Sequence, residues 1–203
     1  MKIKICGVTD VKTAQIAVEA GADAIGFVFA ESKRKITPDE AKKISISIPN
    51  HILKIGVFVN ETKEVLESVY KDVGLTHLQL HGDESLEFCH SLQFPVIKAV
   101  RIEEESDVHR ITEYDCDYVL VDSPFGKYHG GNGTTFDWNL LQNIEIPREK
   151  LILAGGLNTE NVLLASELVK PVMIDVSSGV ETDGIKDEKK IKSFINKVKL
   201  GGI

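Results

Sequence analysis

Residues 2–29, KIKICGVTDVKTAQIAVEAGADAIGFVF, read as strand, helix and strand in immediate succession. Lys2, Lys4 and Cys6 alternate with Ile3 and Ile5, the period of two that a strand requires. Val11–Ala20 follows with Ala14, Ala17 and Val18 on one helical face, Asp10 at the N-cap and Gly21 as the stop. A second apolar run, Ala24–Phe29, completes the unit. The same alternation continues through strand candidates Leu53–Val59, His77–Leu80, Val96–Val100, Tyr118–Val121, Leu151–Ala154 and Val172–Asp175, eight strands in all. Between them, Thr37-Pro38-Asp39-Glu40 has the N-cap, N1 proline and N3 glutamate of a helix start. Lys63–Lys71, Ser85–Ser91, Glu104–Glu113, Thr159–Val169 and Asp187–Val198 carry helical periodicity, and Trp138–Asn143 carries it more weakly.

Strands separated by helices form βαβ units and a parallel sheet. Eight units in 203 residues, about 25 residues each, fit the lower size range of an α/β fold of the (β/α)8 TIM-barrel type. A doubly wound sheet is the competing architecture, but no G-x-G-x-x-G follows the first strand to support its dinucleotide-binding version. No linker interrupts the pattern, so residues 1–203 are expected to form one catalytic barrel domain.

Composition narrows the function. Hydrophobic residues are 42% and charged residues 27%, as in a globular protein. The longest apolar run, Ala24 to Ala30, is far short of a membrane span, and the N-terminus has no apolar core of a secretory signal. A net charge of -7 speaks against nucleic acid and anionic membranes as partners. Cys6, Cys89 and Cys116 form no C-x-x-C, and no convergent set of histidines and carboxylates suggests a metal. The expectation is a reduced, cytoplasmic protein.

In such a barrel the chemistry lies at the C-terminal strand ends. Gly155-Gly156 and Ser177-Ser178-Gly179 follow strands seven and eight, where backbone N–H groups bind phosphate without a lysine. Tight turns and helix caps are the plainer reading of those residues. Cys6 is either a small buried hydrophobe or, sharing an inward strand face with Lys4, a thiol tuned by a cation. Asp122 ends an apolar strand, as a turn cap or as a buried acid. His77, Gln79 and His81 make one polar face of strand four, suited to polar packing or substrate contact. Arg34, at the active end of strand two, suits a carboxylate, and the glycine-rich stretch 126–133 is long enough for a binding loop.

These residues resemble the phosphoribosylanthranilate isomerase family. The likeness is carried by Lys4-Ile5-Cys6-Gly7, the run from Gly21 to Phe29, Ser32-x-Arg34, Gly56-Val57-Phe58-Val59-Asn60 and Gln79-Leu80-His81-Gly82. It continues through Asp122-Ser123, Gly130-Gly131-x-Gly133, Leu153-Ala154-Gly155-Gly156-Leu157, the run from Asp175 to Glu181, and Gly184-x-Lys186-Asp187. The resemblance spans essentially the whole chain. It implies a cofactor-free isomerase acting on a small phosphosugar, N-(5-phosphoribosyl)anthranilate, by an Amadori rearrangement at the third step from chorismate to tryptophan. By motif position the general base is Cys6 and the general acid Asp122. Substrate-binding positions implied are Arg34, Gln79, His81, Gly131, Gly155, Gly156, Asp175, Ser177, Ser178 and Gly179. A ribulose-phosphate epimerase would need a pair of acidic residues and usually a metal, and a silent phosphosugar binder would need no Cys6/Asp122 pair. Monomer and homodimer remain equally compatible with the sequence.

Overall fold

The structure, a computed structural model, describes residues 1–102, 105–122, 138–141 and 146–201. The eight strands are β1 (Lys2–Cys6), β2 (Ala24–Val28), β3 (Leu53–Phe58), β4 (His77–Leu80), β5 (Val96–Arg101), β6 (Tyr118–Asp122), β7 (Leu151–Leu153) and β8 (Met173–Val176). They close into a parallel barrel in chain order, β8 pairing with β1 in the register Lys4↔Asp175. The helices α1 (Val11–Ala20), α2 (Pro38–Ser47), α3 (Lys63–Val73), α4 (Leu86–Ser91), α5 (Glu105–Glu113), α6 (Val162–Val169) and α7 (Glu188–Leu200) flank it. Among the described residues no helix is long and apolar enough to cross a membrane.

Local sequence accounts for these elements. Asp10 caps α1 by accepting from the Thr13 backbone, and Gly21 ends it at φ 105, a conformation that costs glycine no Cβ clash. The Thr37/Glu40 capping box, with Pro38 at N1, starts α2 as the sequence predicts. After α1 and α5 the chain enters the next strand through an aspartate that ties down the strand before it. Asp23 Oδ2 accepts from the Ile3 N–H at 2.9 Å, and Asp117 Oδ2 from the Val96 N–H at 2.9 Å.

Strand parity sorts the side chains into two layers. Outward residues such as Ile3, Ile5, Ile25, Phe27, Leu78 and Val119 join Ala14, Leu66, Ile191 and Phe194 of the helices in the main core. Inward residues Ala24, Ile55, Ile97, Ala99, Leu120, Ile152, Ala154 and Met173 fill the barrel itself. The polar inward residues Lys4, Gln79 and Asp175 are also buried, with Gln79 and Asp175 each accepting from Lys4. The interior is packed rather than hollow, as this fold requires.

Two expectations shift. The helix predicted from Thr159 begins at Val162, because Asn158 and Asn161 use the preceding turn for the glycine loop. Asn158 Oδ1 accepts from the Glu160 and Asn161 N–H groups, and Asn161 Nδ2 donates to the Gly156 carbonyl at 3.0 Å. Asx bonds of this kind compete with a helical first turn. The weak sixth helix is a short 3₁₀ turn, Trp138–Leu141, in the described residues.

On the outer face of β5, Lys98 is 2% exposed and pairs with Glu84 at 2.7 Å. Lys98 also donates to the Gly82 carbonyl at 2.7 Å, while Glu84 accepts from the Asn60 and Gly82 N–H groups. This pair braces the loop that follows β4. Removing one partner of a buried pair strands the other charge, at a cost of about 3–5 kcal/mol. Lys98→Met is therefore expected to lower unfolding free energy by roughly that amount in urea melts. Lys98→Met/Glu84→Met should recover part of the loss, and a single variant as stable as the parent would contradict the assignment.

Candidate active site

The C-terminal strand ends surround a cavity that opens to solvent. Cys6 and Asp122 both line it, as do Arg34, Gln79, His81 and Asp175. Gly155, Gly156, Ser177 and Ser178 form its edge. Ten of the twelve residues singled out from the sequence thus face one space. Gly179 is placed differently. A Cβ there would come within 1.9 Å of the Leu157 carbonyl oxygen, so this glycine lets the loops after β7 and β8 pack together. Gly131 and Ser123 lie outside the described residues, as does the 126–133 stretch.

Parity places Cys6 and Lys4 inward, with Ile3 and Ile5 against the helices. Gly26 faces Cys6 across β1 and β2, and a Cβ there would lie 2.8 Å from Cys6 Sγ and 2.9 Å from Lys4 Cε. Lys4 Nζ donates to Asp175 Oδ2 at 2.7 Å, to Gln79 Oε1 at 2.6 Å and to Cys6 Sγ at 3.4 Å. Burial alone would depress the Lys4 ammonium, but Asp175 and Cys6 hold it above its ordinary value. Cys6 moves the other way from a tuned thiolate. Burial pushes its thiol up, Lys4 and Lys186 pull it back only in part, and Asp175 adds to the rise. Lys4 is largely committed to Asp175, so its help to Cys6 is incomplete.

A second charged group flanks the cavity. Arg34 donates through Nε and Nη2 to the two oxygens of Glu181 at 2.6 and 2.7 Å. That bidentate pair raises the guanidinium's pKa and leaves its Nη1 edge for another anion. Gly7, at φ 75, makes room for it, since a Cβ would meet Arg34 Cδ at 2.4 Å. Glu181 also accepts from Lys186, a buried lysine that donates to the Ser177 carbonyl at 3.0 Å and to Ser177 Oγ at 3.2 Å. Burial depresses the Lys186 ammonium. Burial would raise the Glu181 carboxyl, but Arg34 and Lys186 hold it below its ordinary value. Glu181 and Lys186 stood within the family motifs without a role. Arg34 and Glu181 are 147 positions apart, and only the fold brings them together.

Known proteins share this sequence and fold. The family model described as N-(5'phosphoribosyl)anthranilate (PRA) isomerase matches residues 3–197. The chain belongs to that family. An N-(5'-phosphoribosyl)anthranilate isomerase of Bacillus mycoides is 59% identical over 200 residues, covering 98% of each chain. The phosphoribosyl anthranilate isomerase of Thermotoga maritima is similar in structure, with a TM-score of 0.89, 42% identity and complete coverage of both chains. A further isomerase structure, TM-score 0.86 and 40% identical over the whole of both chains, is a complex with reduced 1-(o-carboxyphenylamino)-1-deoxyribulose 5-phosphate. This family member is accordingly an isomerase built on a TIM barrel.

The charge arrangement fixes a pH response. Lys4 favours the Cys6 thiolate, so its removal must raise the thiol's pKa further. In a Cys89→Ala/Cys116→Ala background, iodoacetamide alkylation of Cys6 is expected to have its midpoint above the ordinary thiol value of about 8.5. Adding Lys4→Met should move that midpoint to still higher pH. An unmoved midpoint would show that Lys4 and Cys6 are not electrostatically coupled.

Proposed function

We propose that this chain converts N-(5-phosphoribosyl)anthranilate to 1-(2-carboxyphenylamino)-1-deoxyribulose 5-phosphate, an Amadori rearrangement in tryptophan biosynthesis. The observation that carries the reading is a thiol and a carboxylic acid, Cys6 and Asp122, lining one cavity edged by two glycine- and serine-bearing loops. An aldose-to-ketose isomerisation needs an acid at one end of the reacting sugar and a base at the other.

In this reading Asp122 gives its proton to the ribose ring oxygen, breaking the C1′–O bond and leaving a protonated Schiff base between C1′ and the anthranilate nitrogen. Cys6 removes the proton from C2′ in its thiolate form, which burial disfavours and the Lys4 and Lys186 ammonium groups partly restore. The electrons of that C–H bond form the C1′–C2′ double bond of an enolamine and neutralise the iminium nitrogen. Tautomerisation, with a proton added at C1′ and the C2′ hydroxyl proton lost, gives the ketone. No electrons enter or leave, so the step calls for no redox cofactor.

Binding follows the same logic. Gly155 and Gly156 adopt φ 85 and 61, bringing backbone close to the cavity edge beside Ser177 and Ser178. Backbone N–H groups in such turns suit a phosphate. The free edge of Arg34 suits the anthranilate carboxylate, and Asp175 Oδ1, buried without a hydrogen-bond partner, suits a sugar hydroxyl. Gly131 is assigned to substrate binding by its motif position alone, and the barrel acts as a single catalytic domain.

Freshly prepared substrate loses its anthranilate-type fluorescence as it isomerises, and the purified protein should produce that loss. Asp122→Asn keeps the shape but delivers no proton near neutrality, so kcat should fall by about 10²–10⁴ with KM much less affected. Turnover close to the parent's in Asp122→Asn would remove Asp122 from the role of acid.

A further inference from the structure

Lys4, Gln79, His81 and Asp122 form one line across the barrel, and its hydrogen bonds can run in one direction only. Lys4 Nζ lies 2.6 Å from Gln79 Oε1, and Gln79 Nε2 lies 3.1 Å from His81 Nδ1. His81 Nε2 lies 3.2 Å from Asp122 Oδ2. An ammonium donates and never accepts, so Gln79 must turn its carbonyl oxygen to Lys4 and its amide nitrogen to His81. An amide nitrogen likewise only donates, so His81 Nδ1 must be the acceptor. A neutral imidazole that accepts at Nδ1 carries its proton on Nε2.

His81 lines the cavity, and its Nε2 lies on the side of Asp122. The His81 side chain is nine-tenths buried, and Nε2 has no aligned hydrogen-bond acceptor despite the nearness of Asp122. Gln79 is 1% exposed and Lys4 fully buried, so no water competes for their places in the line. Donors at active sites are often poorly aligned before substrate arrives and tighten as charge develops.

We propose that Lys4 and Gln79 are positioning residues that lock His81 as the neutral Nε2–H tautomer, giving the cavity one fixed donor beside Asp122. The proposal rests on Asp122 as the acid of the rearrangement. Once Asp122 has given its proton to the ring oxygen, the Nε2–H is in place to stabilise the carboxylate left behind. The lock has a second consequence. Because Nε2 already holds a proton, His81 cannot take the one that Asp122 must keep for the substrate.

The tautomer is read directly by two-bond ¹H–¹⁵N spectra of ¹⁵N-labelled protein, with the His81 signals assigned by their absence in His81→Asn. The parent should show a protonated Nε2 and a bare Nδ1. Gln79→Glu presents only acceptors to Nδ1, which should move the proton there and lower kcat about 10- to 100-fold, the usual cost of disturbing a group's orienting partner. Gln79→Met, free of any added charge, should give mixed tautomers and a similar loss. A protonated Nδ1 in the parent, a spectrum unchanged in both Gln79 variants, or a displaced tautomer with kcat unchanged would each overturn the proposal. The spectrum does not depend on turnover. A parent with the expected tautomer and no fluorescence loss would therefore overturn the isomerase reading instead, and with it the catalytic use of the lock.

Discussion

A fully buried ammonium sits where the barrel closes. Lys4 of β1 pairs in register with Asp175 of β8, and the 2.7 Å ion pair between them crosses the seam that joins the first strand to the last. An isolated charge there would cost several kcal/mol to desolvate. Asp175, Gln79 and Cys6 offset that cost by taking the three donors of the ammonium. Three polar groups that line the cavity, on Cys6, Gln79 and Asp175, are oriented by this arrangement. It leaves Asp175 one unbonded oxygen, sets the direction of the Gln79 amide, and holds a cation beside Cys6. The inward apolar residues, Ile55, Ile97, Leu120, Ile152 and Met173 among them, complete the barrel filling and keep water from that set.

The second network has a different task. Arg34, Glu181 and Lys186 bind the loop after β2 to the short hairpin of Glu181–Thr182 and Ile185–Lys186 that follows β8. Lys186 reaches on to Ser177, whose hydroxyl donates to the Cys6 carbonyl at 3.1 Å. The two networks meet at Cys6, one through its thiol and one through its backbone. A guanidinium held along one edge by both oxygens of a carboxylate loses little freedom when a second carboxylate arrives, and such preorganisation favours binding.

The architecture was legible because its signals are local. Period two in Lys2–Cys6 and caps such as Thr37-Pro38-Asp39-Glu40 depend on neighbouring residues alone. Inward orientation of Lys4 and Cys6 followed from the same parity, and the polar face of strand four, with Gln79 and His81, proves to line the same cavity. What the sequence withheld depends on the closure of the barrel. Nothing local marks Glu181 as the partner of Arg34, or Gly179 as a site of close backbone approach rather than of cavity lining. The start of α6 was misplaced because Asn158 and Asn161 look like the first turn of a helix and instead tie down Gly156. The balance at Cys6 also escaped, since a nearby lysine is visible in the sequence whereas its commitment to Asp175 is not.

The account stands on Cys6 as the group that takes the C2′ proton. The direct measurement is single-turnover fluorescence decay of the anthranilate substrate, with excess enzyme, for the parent and for Cys6→Ala. Removing the base should slow the decay by about 10²–10⁴, while a product analogue binds both proteins with similar affinity. Decay in Cys6→Ala at close to the parent rate would contradict the account.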